Sequence, residues 1–272
     1  MELFTVSHLV VLLVVAVVSA GVLLLLLWPT VRSGARVLRN WGVAEPSSEQ
    51  AQVARRYLRQ RRLLYVLFII LAGPVSGLAV LAIGRSYFPY VGWFLAALLL
   101  AELIAMLRPV RGEVRVATLE RRGIGDVLPM WMIVVHLVTV AAAVASVIVL
   151  AGDPDMGGGV APVWVQVLVV VGSAAAVYAV AWFAVARPAV GDAQVDRALR
   201  LRSARVTMAL GTMFAATLLA GSLSLIGGWV GSGTVITLGY LAQGFGLVMW
   251  ALMASVFAFW SGFRGQVPAR NG

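Results

Sequence analysis

Apolar residues run for some twenty positions at a time along this chain, and the breaks between the runs carry arginine. These runs predict helices at about 7–29, 63–84, 88–107, 129–151, 162–186, 207–229 and 233–262. Each matches the roughly 20 residues an α-helix needs to cross a hydrocarbon core, and the last is long enough to tilt. The pattern therefore predicts an all-α fold, a polytopic membrane bundle of seven transmembrane helices in which residues 1–272 form a single integral membrane domain.

The polar breaks give the orientation. Eight arginines lie between the first two runs, five follow the third, five follow the fifth and two sit in the tail, all on one side of the predicted membrane. Only Arg85 falls on the other side, where the longer loop carries Asp153 and Asp155. Because cytoplasmic loops are the arginine-rich ones, the N-terminus is expected outside and the C-terminus in the cytoplasm. Trp28, Trp131, Trp182 and Trp260 then fall near the inner interface and Trp93, Trp164 and Trp229 near the outer one, while Trp250 sits deep in a run. The first run begins with Glu2 and no basic residue, and Arg32, Arg36 and Arg39 follow it, which is the pattern of an uncleaved anchor rather than of a secretion signal.

Composition narrows the function classes. The chain is 61% hydrophobic and 12% charged, far from the ordinary soluble domain at about 45–50% and about 25%, and seven spans leave no room for a large soluble catalytic domain. All 21 basic residues are arginine, for a net charge of +10, but their placement beside the apolar runs is what topology requires, so nucleic acid is not an expected partner. The absence of cysteine removes disulfides and thiolate metal sites, and the absence of lysine removes Schiff-base chemistry. No metal or cofactor is expected.

Small residues four apart mark helix contacts in lipid, and the sixth run has such a series in Thr212, Ala216, Ala220, Ser224 and Gly228, so that helix is expected at the centre. The second run holds Gly73 and Gly77 with Pro74 between them, a predicted kink. Ser47 and Gln50 have capping-box spacing, and no glycine or proline interrupts the chain from there into the second run, which predicts one continuous helix. Arg55, Arg56, Arg59 and Arg62 on it are expected to contact anionic lipid headgroups. Leu-x-x-Arg recurs at Leu58/Arg61, Leu119/Arg122 and Leu199/Arg202, the pattern a threefold repeat of helical hairpins would leave.

Candidate chemistry rests on two intramembrane ionisable residues, since a charge at mid-helix costs about 2.5–3.5 kcal/mol on insertion scales. Glu102 lies about 9 Å from the Arg108 anchor and His136 about 15 Å beyond Asp126, at 1.5 Å per residue, so a Glu102–His136 contact is geometrically open if their helices pack together. Tyr240, Gln243 and Trp250, around Gly244 and Gly246, are candidates to line the same polar site. Both residues also have readings as satisfied packing groups. Retinal needs a lysine, a bis-histidine haem needs a partner at the depth of His136 rather than His8, and Ser76, a loose candidate beside His136 for intramembrane serine proteolysis, reads better as helix packing. Asp192 and Asp196 lack the second acidic motif of lipid-linked prenyltransferases and read as charge balance for neighbouring arginines.

The strings ARRYLRQRR at 54–62, RVATLERR at 115–122 and DRALRLRS at 196–203, within an all-arginine, Ala/Val/Leu/Gly-rich chain, are similar to segments of uncharacterised actinobacterial multi-pass integral membrane proteins. The resemblance implies a bacterial plasma-membrane protein and brings no activity, cofactor or catalytic residue with it. The expected role is non-enzymatic, a transport-type bundle or a membrane partner for another subunit or a second copy. An intramembrane enzyme acting on a lipid-linked substrate is the alternative.

Overall fold

The computed structural model describes residues 28–83, 90–107, 115–116, 123–152, 163–186, 189–190 and 192–260, with a few positions between 14 and 25. Most of the expected first span, with His8, lies outside the described residues, as do Asp153, Asp155, Leu119 and Arg122. Seven helices are described: α1 Val31–Asn40, α2 Ser48–Ile83, α3 Tyr90–Leu107, α4 Met130–Ala151, α5 Val163–Ala186, α6 Ala193–Val230 and α7 Gly233–Trp260. Two two-residue strands, β1 Arg115–Val116 and β2 Ala189–Val190, pair antiparallel between the loops after α3 and α5.

Four of these helices are long and apolar enough to cross a membrane, over Met130–Leu150, Trp164–Ala186, Ala193–Val230 and Gly233–Met253, and Gly92–Met106 is a shorter apolar stretch. That is the character of a membrane protein. Large side chains such as Leu168, Val138 and Leu241 stand on the outside of the bundle, where lipid rather than water suits them.

α2 and α6 are longer than a bilayer needs. Their 36 and 38 residues extend about 54 and about 57 Å at 1.5 Å per residue, against a hydrocarbon core of about 30 Å. The surplus in both is the N-terminal, arginine-bearing end. In α2 the capping box starts the helix: the Ser47 amide donates to Gln50 Oε1 at 2.8 Å and the Gln50 amide to Ser47 Oγ at 3.2 Å. The helix then runs unbroken through Pro74 to Ile83, so the basic segment and the second span are one element.

For α6 the sequence expectation needs correction. Residues 187–206 read as a charged connecting loop, yet helix begins at Ala193 because the Asp192 carboxylate accepts from the Gln194 and Val195 amides at 2.8 and 3.2 Å. No glycine or proline follows until Gly211. Asp192 is thus a cap rather than a charge balance, and the side chain of Gln50 also donates to it at 2.6 Å, joining the starts of α2 and α6. That hydrogen bond first, then the Val195 amide, hold its carboxyl below the ordinary range. Asp196 does balance charge, pairing with Arg200 one turn on.

The surplus ends pack into a small basic layer with α1. Thr30 and Ser33 cap α1 reciprocally, and Gly34 lies so close to α2 that an added Cβ would press on the Ala51 carbonyl and sit 3.0 Å from the Arg55 nitrogen. Leu38, Val43, Ala54, Val195, Ala198 and Leu199 close this layer. Above it α6 is central, as its small-residue series predicts: it packs against α3, α4, α5 and α7, and 61% of its apolar stretch is buried, against 11% for α7. The seam with α7 uses that series, since a Cβ on Gly246 would lie 2.7 Å from the Ala216 Cβ and one on Gly239 2.8 Å from Ser224 Oγ. Gly228, the last member, meets nothing within 4 Å.

Candidate functional site

An acid can be buried in an apolar bundle only if its charge is met, and Glu102 on α3 is fully buried. α2 meets it twice. Arg61 Nη1 forms an ion pair with Glu102 Oε2, and the Tyr65 hydroxyl donates to Glu102 Oε1. Tyr57, Arg61 and Tyr65 are spaced four apart, which puts all three on one face of α2.

The network continues to α6. Arg61 Nη2 donates to Ser203 Oγ at 2.8 Å and approaches Met106 Sδ at 3.4 Å. Ser203 commits its own proton to the Leu199 carbonyl at 2.9 Å, so the Tyr57 hydroxyl, 2.7 Å from Ser203 Oγ, is the donor there. Arg202 Nη1 in turn donates to the Tyr57 oxygen at 3.4 Å. Burial alone pushes the Tyr57 phenol up, but the Arg61 and Arg202 guanidiniums together with the Ser203 hydrogen bond outweigh it and hold the phenol below its ordinary value. Two of the three Leu-x-x-Arg patterns therefore meet at one tyrosine, with Leu58 and Leu199 buried beside it.

His136 is also fully buried but belongs to a different junction. Its Nδ1 lies 3.3 Å from Thr212 Oγ1 on α6, and its ring meets that of Tyr178 on α5 edge-on, with centroids 5.7 Å apart. Gly211 gives the ring its place, because a Cβ there would lie 3.1 Å from His136 Cε1 and press on Val177. His136 Nε2 and the Tyr178 hydroxyl are buried without hydrogen-bond partners among the described residues. The structure thus brings Glu102 to Arg61 and Tyr65 and leaves His136 with Thr212 and Tyr178; it does not bring the two candidates together.

The α7 candidates do not join either centre. Tyr240 is 72% and Trp250 41% exposed on the outer surface of the bundle, and Gln243 Nε2 donates to Thr217 Oγ1 at 3.3 Å. Gly246 serves the α6 seam and Gly244 meets nothing within 4 Å. Of the expected lipid-facing arginines, Arg56 and Arg59 are exposed and Arg62 is half-buried, whereas Arg55 donates Nε to the Pro29 carbonyl at 3.1 Å and fixes the entry to α1. Tyr57 and Tyr65 carry no mark in the sequence beyond a four-residue spacing with Arg61, and Arg61 enters there only through its Leu-x-x-Arg pattern; the spacing puts the three on one face of α2 without saying that this face meets Glu102.

Chemically, the Glu102 centre is a closed ion pair with its oxygens already engaged. Among the described residues the His136 centre offers one ring nitrogen and one phenol without hydrogen-bond partners. Among the described residues no group of three His, Cys, Asp or Glu side chains is arranged to hold a metal ion. No family model, curated protein or solved structure matches this chain.

Proposed function

We propose that this chain is a non-enzymatic helix bundle of a bacterial plasma membrane, N-terminus outside and C-terminus cytoplasmic, that serves as the membrane-embedded partner of another subunit. The observation that carries the reading is the closure of Glu102: the buried acid is fully covered and engaged by Arg61 and Tyr65, so it is a fastening between α2 and α3 rather than a reactive group. The basic ends of α2 and α6 lie together in one layer, which supports a common cytoplasmic side for both. The largely uncovered face of α7 is available to lipid, to a partner or to a second copy.

Closure is tested with a membrane-permeant carbodiimide, which modifies carboxyl groups that a substrate could also reach. Glu102 is expected to stay unmodified in the intact bundle; modification at Glu102 would instead favour an intramembrane enzyme acting on a lipid-linked substrate. Purification from native membranes in mild detergent should yield a second protein in fixed stoichiometry, and the chain eluting alone would remove the partner role. Reporter fusions in the 31–62 segment and at the C-terminus should both report cytoplasm, and either one reporting the outside would overturn the orientation. A transport-type bundle is the second reading, favoured by the unengaged His136 Nε2 and Tyr178 hydroxyl at the junction of α4, α5 and α6.

A further inference from the structure

Two neighbouring polar atoms inside the bundle are buried without what burial demands. His136 is fully buried, and neither its Nε2 nor the buried Tyr178 hydroxyl oxygen has a hydrogen-bond partner among the described residues. Buried polar groups are nearly always bonded, because leaving one unpaired forfeits its hydration with no return. The two residues are in contact: their rings meet edge-on, with centroids 5.7 Å apart and planes at 62°. Their depths agree as well. His136 is six residues past Met130 on α4 and Tyr178 eight before Ala186 on α5, about 9 and about 12 Å from the arginine-rich side at 1.5 Å per residue.

The surroundings set what each atom can do. The Thr212 hydroxyl gives its proton to the Met208 carbonyl at 2.9 Å, so toward His136 Nδ1, 3.3 Å away, it accepts, and the ring proton sits on Nδ1. Nε2 is then a lone pair in need of a donor. The phenol has a proton to give and an oxygen that accepts. A direct bond from Tyr178 to Nε2 would serve both, yet the edge-on packing does not make it. α6 holds the imidazole in that pose, through the Thr212 hydroxyl at Nδ1 and through Gly211, where a Cβ would lie 3.1 Å from His136 Cε1. Turning the ring toward the phenol would give up the Thr212 bond.

We propose that His136 Nε2 and the Tyr178 hydroxyl form a binding site for one small neutral hydroxylic molecule between α4 and α5, and that its occupant is water. The water donates one O–H to Nε2 and accepts the phenol O–H, so one molecule satisfies both atoms and no proton changes owner. Buried waters take about two to four polar partners, and this pair supplies two. Charge and donor count disfavour other classes. A neutral imidazole and a phenol offer an anion no cationic donor, and among the described residues no three His, Cys, Asp or Glu side chains are grouped to hold a metal ion. The chain of bonds runs from the Met208 carbonyl through Thr212, His136 and the water to Tyr178, tying α6, α4 and α5 together where no bulk water competes. The site rests on neither the partner nor the transport reading, since water fills the same place in both.

The full chain carrying His8→Gln, which leaves His136 as the single imidazole, is labelled with 15N-histidine and observed by solid-state NMR in bilayers. Nε2 should resonate as a hydrogen-bonded acceptor and receive polarisation transferred from water, and Tyr178→Phe should weaken that transfer at least about twofold, since the water loses one of its two anchors. Thermal unfolding in detergent adds a readout whose sign decides. With water bound, Tyr178→Phe breaks a hydrogen bond and should lower the midpoint by about 2–4 °C, the scale of one such bond in a chain of this length. With nothing bound, the same change removes a buried unpaired hydroxyl, and the midpoint stays level or rises. The proposal is overturned by that level or raised midpoint, by an Nε2 that carries the proton or resonates as a free lone pair, or by one that accepts from the Tyr178 hydroxyl itself rather than from water.

Discussion

The Thr212 hydroxyl donates to the Met208 carbonyl at 2.9 Å, so its oxygen can only accept from His136 Nδ1, 3.3 Å away. A hydroxyl has one proton, and the helix carbonyl has it. Neutral His136 is therefore held with the proton on Nδ1 and a free lone pair on Nε2. The chain has two histidines, so His8→Gln leaves a single imidazole to observe. Nitrogen NMR of the 15N-histidine-labelled protein in bilayers should show the Nδ1–H form, and Thr212→Val should let the Nε2–H form appear. A wild-type imidazole protonated on Nε2 alone would break the argument.

The Arg61–Glu102 pair predicts an asymmetry between single and double variants. Glu102→Leu leaves a buried, unpaired guanidinium and Arg61→Met a buried, unpaired carboxylate, each expected to cost about 3–5 kcal/mol. Removing both should cost clearly less than the sum, because no charge is left stranded. Glu102→Gln combined with His136→Leu should instead be additive within about 0.5 kcal/mol, since the two residues share no partner. Both cycles are read from unfolding equilibria in detergent. Additivity for Arg61 with Glu102, or strong coupling for Glu102 with His136, would reverse the site as described.

What the sequence made legible follows from how local each signal is. The four long apolar stretches between Met130 and Met253, the Ser47/Gln50 cap and the Ala216 and Ser224 positions of the α6 face are written within one helix each, and each is where the pattern puts it. Burial of Glu102 and His136 was also readable, because an ionisable side chain within an apolar run has few places to go. Their partners were not, since Arg61 lies 41 residues before Glu102 and was one arginine among many that read as anchors. The helical start of α6 was hidden for the same reason: a dense arginine run looks like a loop until Asp192 is recognised as its cap. α1 was missed because Gly34, normally a weak point in a helix, is there for the closeness of α2.

Asp192 predicts a pH dependence at the acid end. Its folded carboxyl is held below the ordinary 3.8, so the stability it contributes is fully present above that value and is lost as the pH falls through the folded one. Asp192→Asn keeps a capping oxygen but cannot titrate, so the midpoint difference between wild type and this variant should shrink between about pH 6 and 3. Asp192→Ala should lose the cap at all pH values, by about 0.5–2 kcal/mol. A wild-type–Asn difference that does not change with pH would show that the carboxylate contributes nothing through its charge.

The α6–α7 seam gives the sharpest contrast between neighbouring glycines. A Cβ on Gly246 would lie 2.7 Å from the Ala216 Cβ and 3.6 Å from the Met213 backbone, whereas one on Gly244 would meet nothing within 4 Å. Alanine is the better helix former by about 0.5–1 kcal/mol, so Gly244→Ala should be neutral or slightly stabilising. At Gly246 the same methyl must push two backbones apart, and overpacking of that kind costs about 1–3 kcal/mol, which outweighs the propensity gain. The test that isolates the contact is reciprocal. Ala216→Gly added to Gly246→Ala moves the methyl from one helix to the other and should restore most of the lost stability in an unfolding titration. If Gly244→Ala and Gly246→Ala behave alike, or if the exchange gives no rescue, then close backbone approach at this point is not what holds α7 to α6.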